Sequence, residues 1–271
     1  MSALAVVPAP STELAEVLSP SQVSTFRDCA ARWYFKYALG MPDKGSPALA
    51  LGSSVDTAIK ATWHNKLDTG VDLPVADLVE IFAGKWADES SKVDFTPKQN
   101  KDEMGKQGAQ MIDVYMREAE PSIHPQAVDY HVEGTIAGVH VQGFIDLVEA
   151  DGTVVDLKTA GRTPSAISSK EAFQLTTYAQ SAKDLDINGK GRIDTLVKLK
   201  SPKLVRIERE INLSDFHYLR SIYPLIQEQM RSGLYAPNRD SFNCGKSRCP
   251  YARTCELEYG GTVSGSESDD L

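Results

Sequence analysis

The sequence GFIDLVEADGTVVDLKTA brings two aspartates, Asp146 and Asp156, and a lysine, Lys158, close together along the chain. Residues 139–149 and 153–159 alternate in the manner of strands, and Asp151-Gly152 between them is a hairpin-turn signal. Asp146 then stands on one strand and Asp156 on the next. Lys158, two residues after Asp156, projects from the same face of its strand. Two acids and a lysine converging at a strand end are costly to gather unless a cation lies among them. Oxygen ligands of this kind suit Mg²⁺ or Mn²⁺. With such an ion bound, Lys158 would orient or deprotonate a water and stabilise the charge of a pentacovalent phosphate. A hairpin with its polar side turned to water gives the same residue pattern.

The four cysteines form a second set. Cys244, Cys249 and Cys255 lie close together, and Cys29 is more than two hundred residues upstream. The first basic residue is Arg27, so nothing before it reads as a charged leader, and a reducing, cytoplasmic compartment is expected. Four thiolates gathered by folding suit Zn²⁺ or an iron–sulfur cluster, and the spacing alone does not choose between them. Two weaker signals are set aside. Asp184-Leu-Asp186-Ile-Asn188-Gly189 opens like a calcium loop, but position 12 is Thr195 rather than glutamate, so an Asx-rich turn is expected. Gly245-Lys-Ser247 echoes a phosphate loop but lacks the earlier glycine and the preceding strand, so no ATPase motor is encoded. The five histidines have no metal-ligand spacing.

These residues need a frame. Leu18 to Gly40 reads as one helix: Ser19 caps it, Pro20 fits the first turn, Gln22 completes a capping box, and Gly40 stops it. A second helix carries Val55, Ile59 and Trp63, and two acidic amphipathic helices follow at about 74–91 and 97–119. Strands are expected at 128–136, 139–149 and 153–159, then a helix at 169–183. Strands near 193–200 and 203–211 and a helix from Ser214 to Arg231 complete an α/β layout without repeats.

With 271 residues, 41% hydrophobic and 24% charged, the chain can bury a substantial core. No apolar run approaches the roughly 18–20 residues of a membrane helix, so no membrane partner is expected. The net charge of −8 is uneven. Seven of the 37 acids are Glu13, Glu16, Glu256, Glu258, Glu267, Asp269 and Asp270, near the two ends, which leaves 30 against 29 bases. Between Arg192 and Cys255 there are 12 Lys and Arg against 6 Asp and Glu. Overall charge therefore does not exclude a nucleic-acid partner.

Glu133, Gly143-Phe-Ile-Asp146, Asp156-Leu-Lys158 and Gln174-Leu-Thr-Thr-Tyr178 stand in this order along the chain. In order and spacing they resemble the PD-(D/E)XK nuclease superfamily, in the branch of RecB-type nuclease domains and CRISPR-associated exonucleases. Upstream, Leu18-Ser-Pro-Ser-Gln-Val23, Cys29 with Trp33-Tyr34-Phe35, and Gly52-Ser-Ser-Val-Asp56 resemble the opening of that branch. The branch usually carries a histidine metal ligand where this chain has Asp56. Aspartate ligates Mg²⁺ or Mn²⁺ equally well, and the change opens two readings: an altered metal preference or a weakened activity.

The resemblance implies a restriction-endonuclease-like mixed central sheet flanked by helices, with an N-terminal helical region and a C-terminal cysteine cluster that closes onto the first helix. It implies a flexible arm over 1–17, a helical region over 18–125 with Cys29 and Asp56, a nuclease core over 126–240, a cysteine segment over 241–259 and an acidic tail over 260–271, in one compact unit. Asp56, Asp146, Asp156 and the Leu157 carbonyl would hold the ion. Lys158, Gln174 and Tyr178 would complete the catalytic set. Cys29, Cys244, Cys249 and Cys255 would hold a structural [4Fe–4S] cluster. Lys198, Lys200, Lys203, Arg206, Arg248 and Arg253 are candidate phosphate contacts. The expected function is a metal-dependent exonuclease on single-stranded DNA, with oligomer formation open. The alternative is a DNA-binding or assembly factor of weak or lost activity that works with a CRISPR integrase or a helicase partner.

Overall fold

A computed structural model describes residues 15–43 and 45–265, which form two compact units. The second unit, residues 45–133 and 143–217, opens with a long helix, α3 (Pro47–Thr69). Ser46 caps it by accepting the Leu49 N–H, and Gly70 ends it in a left-handed conformation (φ 76°). Leu51, Val55, Ile59 and Trp63 recur every fourth residue and are fully buried. They pack with Leu78, Phe82 and Trp86 of α4 (Val75–Ser91) and with Met111, Ile112 and Tyr115 of α5 (Lys101–Glu118).

The sheet of this unit is built from β2 (Pro125–Ile136), β3 (Val139–Glu149), β4 (Val154–Ala160), β5 (Lys190–Val197) and β6 (Lys203–Glu210). β2 pairs with β3, and the order then runs β3-β4-β5-β6. β4 and β5 are parallel, whereas β3–β4 and β5–β6 are antiparallel, so the sheet is mixed. The parallel pair needs a crossover, which α6 (Ser169–Ser181) supplies. Ser168 and Glu171 start α6 with a reciprocal capping box. On one face of the sheet Leu147, Val155, Leu157 and Leu196 meet α3–α5, and on the other Val148, Val154 and Ile193 meet Leu175 and Tyr178 of α6 and Ala182 just after it. At the β3–β4 turn Gly152 has φ 87°, and its carbonyl accepts the Asn188 N–H at 3.1 Å. A side chain there would strike the Asp186 backbone. The calcium-like loop is thus a turn tied to this hairpin, as its Asx residues indicated.

The first unit comprises the chain up to residue 44, the hairpin end 134–142 and residues from 218 onward. Residues 15–17, expected to end a flexible arm, are ordered: Ala15 is buried, and β1 (Val17–Leu18) pairs in parallel with His140 and Val141. Residues 260–265 of the expected tail also pack in part, for Val263 is buried and its N–H donates to Glu256 Oε1. The remainder of the arm and tail lies outside the described residues.

The single helix expected over Leu18–Gly40 is three pieces. α1 (Pro20–Asp28) ends where Cys29 turns extended (φ −159°, ψ 110°); α2 (Ala30–Trp33) follows, and a π-helical turn covers Tyr34–Ala38. Trp33, Tyr34 and Phe35 are consecutive and all buried, which one face of a regular helix cannot provide. The wider turn lets Tyr34 stack on Tyr235 at 4.7 Å while Phe35 meets Tyr251 at 5.8 Å. Ser19 caps α1 through the Gln22 N–H, but the expected return bond is missing: Gln22 Oε1 is buried without a partner. α7 (Leu213–Arg231) and α8 (Ala252–Tyr259) complete the elements.

Two helical glycines test this packing in opposite directions. A Cβ on Gly108 would collide with the Phe82 ring and lie 2.9 Å from Leu51 Cδ1, whereas nothing lies within 4 Å of one on Gly84. Gly108→Ala is expected to destabilise by about 1–3 kcal/mol. Gly84→Ala is expected to stabilise by about 0.5–1 kcal/mol. Thermal unfolding of both variants checks the signs, and a rise in Tm for Gly108→Ala refutes the close helix approach.

Candidate active site

The two glycines of the sequence motifs let the site's elements approach one another. A side chain at Gly52 on α3 would come within 2.7 Å of Thr159 Oγ1 on β4. One at Gly143 on β3 would come within 2.7 Å of the Tyr178 ring on α6. With both positions bare, α3, β3, β4 and α6 line one open cleft of about 570 Å³ that contains Asp56, Asp146, Asp156, Leu157, Lys158, Gln174 and Tyr178. Every member of the expected metal and catalytic set in this unit is therefore in one place.

The hydrogen bonds fix each side chain. Asp146 Oδ2 accepts the Leu157 N–H at 3.0 Å across the strand pair. Lys158 Nζ lies 2.6 Å from Asp156 Oδ2, so the two do share a face of β4. Gln174 Nε2 donates to Asp156 Oδ1 at 2.7 Å and to the Tyr178 hydroxyl at 3.2 Å, which uses the i, i+4 face of α6. Asp156 is almost fully buried, at 2% exposure.

The electrostatics are those of a crowded negative centre. Burial, opposed by Lys158 and reinforced by Asp146, pushes Asp156 up to about 6. Burial and then the charge of Asp146 push Asp56 up to about 6. Burial and the nearby carboxylates push Tyr178 up to about 12, against the hydrogen bond from Gln174. Burial works against the charge on Lys158, but Asp156 and Asp146 outweigh it and hold the ammonium more firmly protonated than usual.

Three residues that sequence reasoning missed belong to this centre. Lys60 Nζ lies 2.7 Å from Asp146 Oδ1, 2.8 Å from Asp129 Oδ1 and 3.2 Å from Asp56 Oδ2. His64 Nε2 lies 3.1 Å from Asp129 Oδ2. Lys60 was readable, since it follows Asp56 by one helical turn. Asp129 was not, because it depends on a left-handed backbone (φ 47°) inside β2. Glu133 of the motif is exposed on β2 and does not line the cleft; Asp129, four residues earlier, does not line it either but pairs with Lys60.

The acids suit a divalent cation in kind. All are hard oxygen donors, and burial, which raises Asp56 and Asp156 with Asp146 adding to it, disfavours a charge that such an ion would stabilise. Among the described residues, however, no three His, Cys, Asp or Glu side chains are set to hold a metal as they stand. The Lys60 ammonium is what sits between Asp56, Asp129 and Asp146.

The candidate phosphate contacts divide. Lys198 lines the cleft, and burial lowers its pKa. Lys200 and Lys203 are exposed. Arg206 is not available: its Nε lies 3.2 Å from the fully buried Asp194, and its Nη1 donates to Ser122 Oγ at 2.8 Å, so it serves the sheet. In the first unit Arg248 lies over the Phe242 ring at 4.4 Å, and Arg253 is exposed.

The first unit holds the thiols. Cys29, Cys244, Cys249 and Cys255 are all free and line one small cavity, so the C-terminal segment does close onto the first helix. Asp28 makes that closure: its carboxylate accepts from Ser241 Oγ at 2.8 Å and Asn243 Nδ2 at 3.0 Å, and its carbonyl accepts from Asn238 Nδ2 at 2.9 Å. Burial, opposed by Arg239 and reinforced by the other three cysteines, pushes Cys255 up to about 11. Burial likewise raises Cys249. Thiolates are the ligands of zinc and iron–sulfur groups, but among the described residues no three of these cysteines are set to hold a metal as they stand.

No curated protein matches the chain. Among solved structures, a candidate exonuclease from Eubacterium rectale matches with a TM-score of 0.60 and 15% identity, covering 98% of this chain and 96% of that one. The protein SSO0001 matches with a TM-score of 0.42 and 11% identity over 90% of this chain and 87% of that one. The first likeness is one of fold, and it agrees with the mixed sheet flanked by helices. The model of the PD-(D/E)XK nuclease superfamily matches residues 17–256, a span that includes every site residue above. The chain belongs to the PD-(D/E)XK nuclease superfamily.

Proposed function

We propose that the protein is a metal-dependent DNA nuclease that trims single strands as an exonuclease and carries a structural [4Fe–4S] cluster. The observation that carries this reading is the convergence of Asp146, Asp156, Lys158, Gln174 and Tyr178 in one cleft, with a 2.6 Å Lys158–Asp156 pair at its floor. Asp56, Asp146, Asp156 and the Leu157 carbonyl would hold Mg²⁺ or Mn²⁺. When bound, the ion supplies Lewis acidity toward a phosphodiester oxygen and a more acidic water. Lys158 offers its ammonium to the charge that develops on phosphorus. Gln174 prevents the Asp156 carboxylate from rotating, and Lys198 receives a backbone phosphate.

Single strands are favoured by Phe144, which lines the cleft, is 60% exposed and lies 4.9 Å from the His131 ring. An exposed aromatic beside the acids is a platform on which an unpaired base stacks. The cluster reading rests on the four thiols around one cavity. A second reading is a DNA-binding or assembly factor acting with a CRISPR integrase or a helicase, and the Lys60 ammonium among the acids is the observation that favours it. No helix among the described residues is long and apolar enough to cross a membrane.

End-labelled single-stranded DNA incubated with purified holoprotein and Mn²⁺ should shorten, and Lys158→Ala should slow cleavage by about 10²–10³-fold. Cleavage no faster than in that variant refutes the nuclease reading in favour of the assembly factor. Phe144→Ala should raise KM for single strands about 5- to 150-fold, the range set by about 1–3 kcal/mol of stacking per base, with kcat little changed. An unaltered KM removes the stacking role. For the thiols, the purified protein should be brown, absorb near ~400 nm and contain iron. Cys249→Ser should bleach it, and a colourless protein that holds zinc overturns the cluster.

A further inference from the structure

Lys60 has a position that the nuclease reading does not use. Its ammonium has three donors and three carboxylate neighbours: Asp146 at 2.7 Å, Asp129 at 2.8 Å and Asp56 at 3.2 Å. The side chain is only 15% exposed, so it is no stray surface pair. Two of the three carboxylates, Asp56 and Asp146, are the proposed metal ligands. Asp146 has no spare oxygen, because Oδ1 meets Lys60 and Oδ2 accepts the Leu157 N–H.

The third partner differs in kind. Asp129 does not line the cleft, and its side chain is 42% exposed. Its second oxygen is engaged by His64 at 3.1 Å. Lysine has four side-chain torsions, so Lys60 can keep Asp129 while its Nζ swings out from between Asp56 and Asp146. We propose that Lys60 is a built-in competitor of the divalent cation: it neutralises Asp56 and Asp146 until the ion displaces it outward onto Asp129. This rests on the metal-nuclease reading and adds a property to it: the ion's affinity is set by an exchange with an internal cation rather than by the acids alone. Asp129 is the positioning residue of that exchange.

Two substitutions should act in opposite directions. Lys60→Met keeps most of the apolar stem, one heavy atom shorter, and removes the charge. Mn²⁺ titrated into the purified full-length protein and followed by calorimetry should then bind at least about tenfold more tightly, the scale expected of one unit charge a few ångströms from the ion in a partly buried site. The Mn²⁺-induced rise in Tm should grow as well. Asp129→Asn removes the outer anchor, holds the ammonium on Asp56 and Asp146, and should weaken Mn²⁺ binding. Should Lys60→Met fail to fold with its acids unpaired, the double variant Lys60→Met/Asp129→Asn removes one acid with the cation and should still bind Mn²⁺ more tightly than wild type. Binding that is unchanged or weaker in the Met variants overturns the competitor role and leaves the nuclease reading intact. Absence of Mn²⁺ binding in wild type and variants alike, together with absence of cleavage, overturns both.

Discussion

The buried carboxylate of Asp156 is the constraint around which the second unit is arranged. At 2% exposure a charged group must be given partners, and each of its partners comes from a defined element. Lys158 reaches it from the same strand, Gln174 from the crossover helix, and Tyr178 braces Gln174 in turn. The crossover places α6 over β4 because β4 and β5 are parallel, so the topology of the sheet itself delivers the amide to the acid. Gly143 is bare so that the Tyr178 ring can lie over β3. Fold and chemistry meet in that one side chain.

The centre concentrates like charge more than packing alone would tolerate. Asp56, Asp146 and Asp156 share a cleft, and burial first, with Asp146 added to it, raises two of them. Two lysines answer it from opposite sides, Lys158 at Asp156 and Lys60 at Asp146. They differ in what they can do next. Lys158 is set by a strand beside the acid that it pairs with, whereas Lys60 is held by three acids of which one, Asp129, does not line the cleft.

How much of this was legible in the sequence depends on the range of the interaction. Asp156 and Lys158, Gln174 and Tyr178, and the helix and strand alternation are local patterns with a period, and they could be read directly. The two motif glycines were visible, but their reason was not, since Thr159 and the Tyr178 ring arrive from elsewhere in the fold. Arg206 looked free because nothing nearby in sequence announces the buried Asp194 on the adjoining strand. Asp129 could not be read as a partner of Lys60 because its placement rests on a left-handed residue inside β2. The break at Cys29 escaped the helical pattern because the apolar spacing continues across it, and only the need to bury three consecutive aromatics exposes the irregularity.

Asp28 has a consequence for the other unit. Its carboxylate and carbonyl grip Ser241, Asn243 and Asn238 with no sulfur in the bonds, immediately beside Cys29 and just ahead of Cys244. α1 and the segment 238–243 are thus joined through the oxygens of Asp28, alongside the Asn238 N–H that donates to Cys29 Sγ at 3.4 Å. The segments that carry the four cysteines are therefore held together before any ligand reaches the sulfurs, and removing such a ligand would leave this joint in place.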